Sequence, residues 1–115
     1  MLNVLVDVAA AVICFAGVCH PVLVGNETPR GEFQLEQFTV QDPRYGGDLL
    51  AFKFRAGEVF AIHRVFDVPG QQRLARLNSP YAKHRIQVTN GCVNVAPEVY
   101  QQLVDCCSDS KVTIK

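Results

Sequence analysis

The chain has 115 residues, eleven basic and eleven acidic, and no net charge when histidine is neutral. That length suits one small domain with a single core, and residues 1–115 are read as one domain. The balance of charge gives no global field for nucleic acid or an anionic membrane, so neither is expected as a partner.

Residues 8–18 are almost continuously apolar. The run is shorter than the about 20 residues that span a bilayer. No Lys or Arg precedes Arg30, and Asp7 interrupts, so neither a membrane span nor a secretory leader is expected. β-Branched residues and the Ala16-Gly17 pair point to buried strands joined by a turn. Short apolar runs predict strands over 4–6, 11–15, 20–24, 32–38, 49–54 and 58–63. They are broken at Asn26-Glu27-Thr28-Pro29, Asp42-Pro43, Gly46-Gly47 and Ala56-Gly57, all turn formers. A short helix is predicted over 71–77. A second begins at Pro97, where proline suits the first turn, and Val99, Leu103 and Cys106 or Cys107 follow at helical spacing. A last strand covers 112–114. The fold class is mostly β, with one short helix beside the loop that holds Cys92.

Five cysteines stand at 14, 19, 92, 106 and 107. A two-residue turn at Ala16-Gly17 sets Cys14 opposite Cys19, with α-carbons about 4.5 Å apart. That is the short end of disulfide geometry. Two free core thiols are the expectation there, since unpaired cysteine is so often buried. Cys106 and Cys107 are read as helix packing. No usual zinc-ligand spacing occurs, and no metal is expected.

The chemistry-bearing stretch is Asn90-Gly91-Cys92-Val93-Asn94, a cysteine on a tight glycine turn. A thiol needs a base to be a strong nucleophile at neutral pH, and imidazole is the usual one. His63 closes an apolar strand and is the candidate. His84 is the rival, in a polar loop, and His20 has no chemical partner. Between the presumed catalytic elements lie Arg64, Arg73, Arg76, Lys83 and Arg85 against Asp67 alone. This basic segment is either a solvated loop or a funnel for a carboxylate-rich substrate.

Three segments together resemble one family, the L,D-transpeptidase catalytic domain. Thr89-Asn90-Gly91-Cys92-Val93-Asn94 is similar to its [Ser/Thr]-x-Gly-Cys-[Val/Ile]-[Asn/Arg] pattern. Thr28-Pro29-Arg30-Gly31-Glu32-Phe33 matches its Thr-Pro-x-Gly-x-Phe, and Ile62-His63 its strand-end histidine. The order is the family's and covers most of the chain. Arg64 stands where the family usually has Gly, Asn90 where it often has His, and His63 and Cys92 are 29 positions apart, a longer interval than in many members.

The resemblance implies an L,D-transpeptidase-like β-rich sandwich and a peptidoglycan-modifying enzyme acting on stem peptides through a thioester. Cys92 would be the nucleophile and His63 the base, and the backbone at Gly91 and Cys92 would hold the oxyanion. Arg85, Arg64, Thr89, Asn90 and Asn94 would contact substrate, and no cofactor is implied. The alternatives are a carboxypeptidase or amidase of the same fold, such an enzyme delivered as an antibacterial toxin, and a non-catalytic peptidoglycan-binding domain. A toxin would imply an immunity or secretion partner. The place of action is the periplasm or cell wall, and the chain is either a fragment or exported without a leader of the usual kind.

Overall fold

A computed structural model describes residues 3–115. Alternating apolar residues build two sheets. In the first, β1 (Val4–Asp7), β2 (Val12–Phe15) and β3 (Val18–Pro21) form a meander. β9 (Lys111–Ile114) pairs in parallel with β1, and β4 (Gly31–Gln34) closes the other edge, giving the order β3-β2-β1-β9-β4. The second sheet has the order β5-β6-β7-β8, from β5 (Glu36–Thr39), β6 (Asp48–Arg55), β7 (Glu58–Arg64) and β8 (Val93–Val95). A short helix α1 (Arg73–Leu77) lies in the long connection from β7 to β8, and α2 (Pro97–Cys107) follows β8. Among the described residues no helix is long and apolar enough to cross a membrane.

The core is the space between the sheets. Val4, Val6, Ile13, Phe15, Val112 and Ile114 meet Leu50, Phe52, Phe60, Ile62, Val93 and Val95, and α2 adds Val99, Tyr100, Leu103 and Cys107. Burying each such side chain contributes about 1.5–3 kcal/mol. This burial fixes which face of β7 and β8 looks inward. A slip of one residue would drive His63 and Asn94 into the core in place of Ile62 and Val93. Asp48 ties the second sheet to α2, accepting from Arg64 Nη1 at 2.8 Å, Gln37 Nε2 at 2.7 Å and Tyr100 Oη at 3.0 Å. Burial raises its pKa, and these three donors outweigh that and hold it below the ordinary carboxylate value.

Four expectations change. The run 32–38 is two strands in different sheets, turning at the buried Leu35, whose N–H bonds the Ser110 carbonyl at 3.0 Å. The run 20–24 leaves its sheet at Pro21, and Val22, Leu23 and Val24 go on as fully buried extended chain. Val93 and Asn94, read as part of the cysteine loop, join Val95 in the parallel strand β8. Cys14 and Cys19 face each other in register as expected, but they are bonded, and Cys106 is bonded to Cys107. Cys92 is the one free thiol of the five.

Arg85 belongs to this scaffold. It is 6% exposed and donates to the carbonyls of Ala11 (3.3 Å), Ser79 (2.6 Å) and Ala10 (3.3 Å), so it holds the β1–β2 turn against the connection. Arg85→Met leaves those carbonyls short of donors and is expected to cost about 2 kcal/mol of stability. Urea unfolding of the variant measures it.

Candidate active site

Cys92 stands where β8 is about to join β7. Ile62, His63 and Arg64 pair in parallel with Val93, Asn94 and Val95. One residue earlier the chain turns away, with Gly91 at φ +129°. The cysteine side chain then covers the edge of β7 left free: Sγ lies 3.8 Å from the Val59 carbonyl, and the nearby Ala61 N–H favours its thiolate form. A Cβ at Gly91 would collide with the Phe60 ring and sit 3.3 Å from the Glu27 carbonyl. Glycine is required there by its angle and by that contact, and the space it frees belongs to Phe60.

The turn is pinned from two sides. Thr89 Oγ1 donates to the Cys92 carbonyl (2.6 Å) and accepts from the Gly91 N–H (3.2 Å). Behind it, the Val24 carbonyl accepts from Val88 and Thr89, and Leu23 exchanges two 2.9 Å bonds with Asn94. Gly25 is pressed so closely on the Thr89 carbonyl that any side chain would collide with it. Thr28 Oγ1 accepts from the Gly25 N–H at 3.0 Å, which gives the Thr28-Pro29 segment its place in the site.

His63 is 2% exposed, on the face of β7 turned away from the core. Its ring lies edge-on to Tyr45 (4.8 Å between centroids) and stacks on Phe66 (5.5 Å). Nδ1 donates to the Arg64 carbonyl at 2.8 Å, and Nε2 accepts from Asn94 Nδ2 at 3.2 Å. The amide is oriented by its other end, where Oδ1 accepts from Arg73 Nη1 at 3.0 Å. With a guanidinium on one side, only the NH2 group can face the imidazole. The three side chains thus form a directed chain, Arg73 to Asn94 to His63.

This environment keeps the thiol and the imidazole uncharged. Burial lowers the pKa of His63 to about 4, with the Arg64 carbonyl opposing and the Arg73 charge reinforcing the shift. Burial also pushes the Cys92 thiol up, while the Ala61 N–H and Arg73 pull it partway back. Cys92 and His63 make no hydrogen bond with each other. They open into one cavity of about 270 Å³, whose wall includes Asn94, Arg73, Tyr45 and Phe66. Among the described residues no group of three or more His, Cys, Asp or Glu gathers to hold a metal.

This geometry sits on a known architecture. An L,D-transpeptidase from Xylanimonas cellulosilytica superposes with a TM-score of 0.64 at 18% identity, over 99% of this chain and 60% of that one. L,D-transpeptidase 3 of Mycobacterium tuberculosis, in complex with a faropenem-derived adduct, gives 0.69 at 11% identity, over 99% and 60%. The helical cell shape determining protein Pgp2 of Campylobacter jejuni gives 0.64 at 15%, over 99% and 46%. The fold is that of the L,D-transpeptidase catalytic domain. This chain spans about 60% of the length of the first two structures. No protein-family model and no curated protein matches the sequence.

Of the residues singled out from sequence, Cys92, His63, Thr89, Asn90 and Asn94 line the cavity together. Gly91 shapes the turn, and its N–H is engaged by Thr89, which leaves Cys92 N–H as the amide of the two not so held. Arg85 and Arg64 are corrections: neither lies on the cavity wall, because Arg85 holds backbone and Arg64 is spent on Asp48, the Tyr45 carbonyl and the Tyr100 ring. His84 bonds Ser79 Oγ at 2.6 Å in a separate cavity, and His20 packs on Phe15. Sequence reasoning missed Tyr45, Phe66 and Arg73 as site residues. The excess of arginine after β7 was the one signal for Arg73.

Two predictions follow from the hydrogen-bonded chain. The unfolded protein protonates His63 near pH 6.5 and the folded one only near 4, so stability falls as pH drops through that window. The loss is about 3 kcal/mol, measured by urea unfolding at pH 7 and pH 4, and His63→Gln removes this component. Asn94→Asp replaces the donor on Nε2 by an acceptor, so the His63 pKa rises by about one pH unit or more. NMR titration of the ring nitrogens reads it.

Proposed function

We propose that the chain is a cysteine acyltransferase of the L,D-transpeptidase type acting on peptidoglycan stem peptides. The observation that carries this reading is the chain's single free thiol, held at a bent strand end and opening with a tautomer-fixed imidazole into one cavity, on this fold. Cys92 attacks a stem-peptide carbonyl before a terminal D-alanine, forming a thioester as the D-alanine amine leaves. The Cys92 proton passes to His63 Nε2 as the sulfur attacks, and His63 returns it to the departing amine. The Arg64 carbonyl holds Nδ1–H throughout and steadies the imidazolium. Cys92 N–H is the backbone donor for the oxyanion, a contact typically worth about 3 kcal/mol.

For the thiol to reach Nε2, the Asn94 amide has to give up that lone pair, so the structure corresponds to the resting state. A base that stays neutral to about pH 4 accepts the proton only as the thiolate is consumed, which favours transfer concerted with attack. The two disulfides fit an oxidising compartment, in keeping with action in the periplasm or wall. An acceptor amine gives transpeptidation and water gives carboxypeptidation.

Incubation of the protein with tetrapeptide stems, followed by mass analysis, tests the reading. Wild type should release D-alanine and Cys92→Ala should release none while keeping its fold. His63→Ala should lose about 10²–10⁴-fold in rate, and His84→Ala little. Turnover by folded Cys92→Ala protein would refute the assignment. A penem, the class that gives the adduct in the M. tuberculosis structure, should add its mass to wild type and not to Cys92→Ala.

A further inference from the structure

We infer that Arg73 is the carboxylate-binding residue of this site, its guanidinium taking an acid group of the substrate beside Cys92. The inference rests on the acyl-transfer reading above and names how that site chooses its substrate. Arg73 is only 8% exposed, yet it lies on the wall of the cavity that holds Cys92, His63 and Asn94. A buried guanidinium ordinarily has a carboxylate partner. Arg73 has neutral acceptors only: Nε donates to Gln71 Oε1 at 2.7 Å and Nη1 to Asn94 Oδ1 at 3.0 Å, with the Phe66 ring 5.4 Å from its charge. Among the described residues the ion pairs are Arg44–Asp42, Arg64–Asp48, Lys111–Glu32 and Lys115–Asp7, and none includes it.

The other buried or half-buried arginines near the site are fully engaged elsewhere. Arg64 has Asp48, and Arg85 has three backbone carbonyls away from the cavity. Arg73 alone keeps guanidinium N–H groups beyond those bonded to Gln71 and Asn94 while facing the thiol's cavity. The one carboxylate among the lining residues is Glu58, which is exposed and makes no ion pair with Arg73. The fork of donors suits a carboxylate better than any neutral group. A bound acid also neutralises the charge that helps keep His63 unprotonated, so the substrate itself raises the basicity of His63. Arg73 would then both select the substrate and prime the base.

Stem peptides carry two acid groups near the scissile bond, on the diamino acid and on the terminal D-alanine. The kinetic test uses the free tetrapeptide and two versions with one or the other acid amidated. Wild type should lose about 10- to 100-fold in kcat/KM on one of the amides, which identifies the acid recognised. Arg73→Gln should be slow on the free peptide and indifferent to that amidation. Arg73→Met, which keeps the aliphatic stem, replaces it if Gln fails to fold. A variant that discriminates as wild type does, or a wild type indifferent to both amides, overturns the inference.

If wild type turns over no stem peptide at all, the functional reading fails, and binding decides the inference separately. Cys92→Ala protein is titrated with N-acetyl-D-alanine or its amide while the His63 ring is followed by NMR. A rise in the His63 pKa with the acid alone, absent in the Cys92→Ala, Arg73→Gln double variant, upholds carboxylate binding at Arg73. No rise, or a rise that survives loss of Arg73, overturns it.

Discussion

The Asn94 side chain is fully buried, and its amide plane is held at both ends while its backbone is held by a third segment. Arg73 donates to its oxygen, its nitrogen donates to His63, and Leu23 takes both of its main-chain groups. An amide in that position has one orientation available, because reversing it would set two donors against each other at Arg73 and two acceptors at His63. The tautomer of His63 and the rotamer of Arg73 both depend on this plane. So does the alignment of β8, and through β8 the place of Cys92. An unsatisfied amide so deeply buried would cost about 1–3 kcal/mol, enough to keep the three partners together.

This constraint explains why the thiol and imidazole rest apart. A cysteine–imidazole ion pair needs a site that favours both charges. Here burial disfavours each, and the nearest fixed charge, Arg73, stabilises a thiolate while opposing an imidazolium. The neutral pair is the lower state. On the proposed reading, a bound substrate adds negative charge near Arg73, which raises the basicity of His63, and draws the Asn94 amide off Nε2. The enclosing aromatic rings matter for the same reason: Tyr45 and Phe66 clamp the imidazole so that it gains little by turning to solvent.

Much of this was legible in the chain. Residues 92–95 alternate chemistry-bearing with apolar side chains and 59–62 are apolar up to His63, and the two-residue period of a strand sends Ile62, Val93 and Val95 inward and His63 and Asn94 to the opposite face. The facing of Cys14 and Cys19 followed from a two-residue turn, but register alone does not say whether two thiols are joined. The division of 32–38 was harder to read, because alternation continues through Leu35 and the only break is the Glu36-Gln37 pair just after it. Arginines in the irregular connection carry no period at all. Arg73 and Arg85 look equivalent in sequence, yet Arg73 lines the cavity while Arg85, expected to contact substrate, is a clasp on backbone.

The long β7–β8 connection thereby acquires a physical purpose. A parallel pair needs a crossover, and a shorter one would leave His63 and Asn94 under solvent. In this chain the crossover instead lays Phe66, Arg73 and Leu77 over the outer face of the sheet, building a second small core from Leu23, Val65 and Leu77. That lid of side chains buries the imidazole and brings a cation with no acidic partner to the wall of the thiol's cavity. The basic segment, read from sequence as either a solvated loop or a funnel, places one fixed charge, Arg73, on the cavity wall. On the proposed reading, selectivity for an acidic substrate depends on that single buried guanidinium rather than on the field of the whole segment.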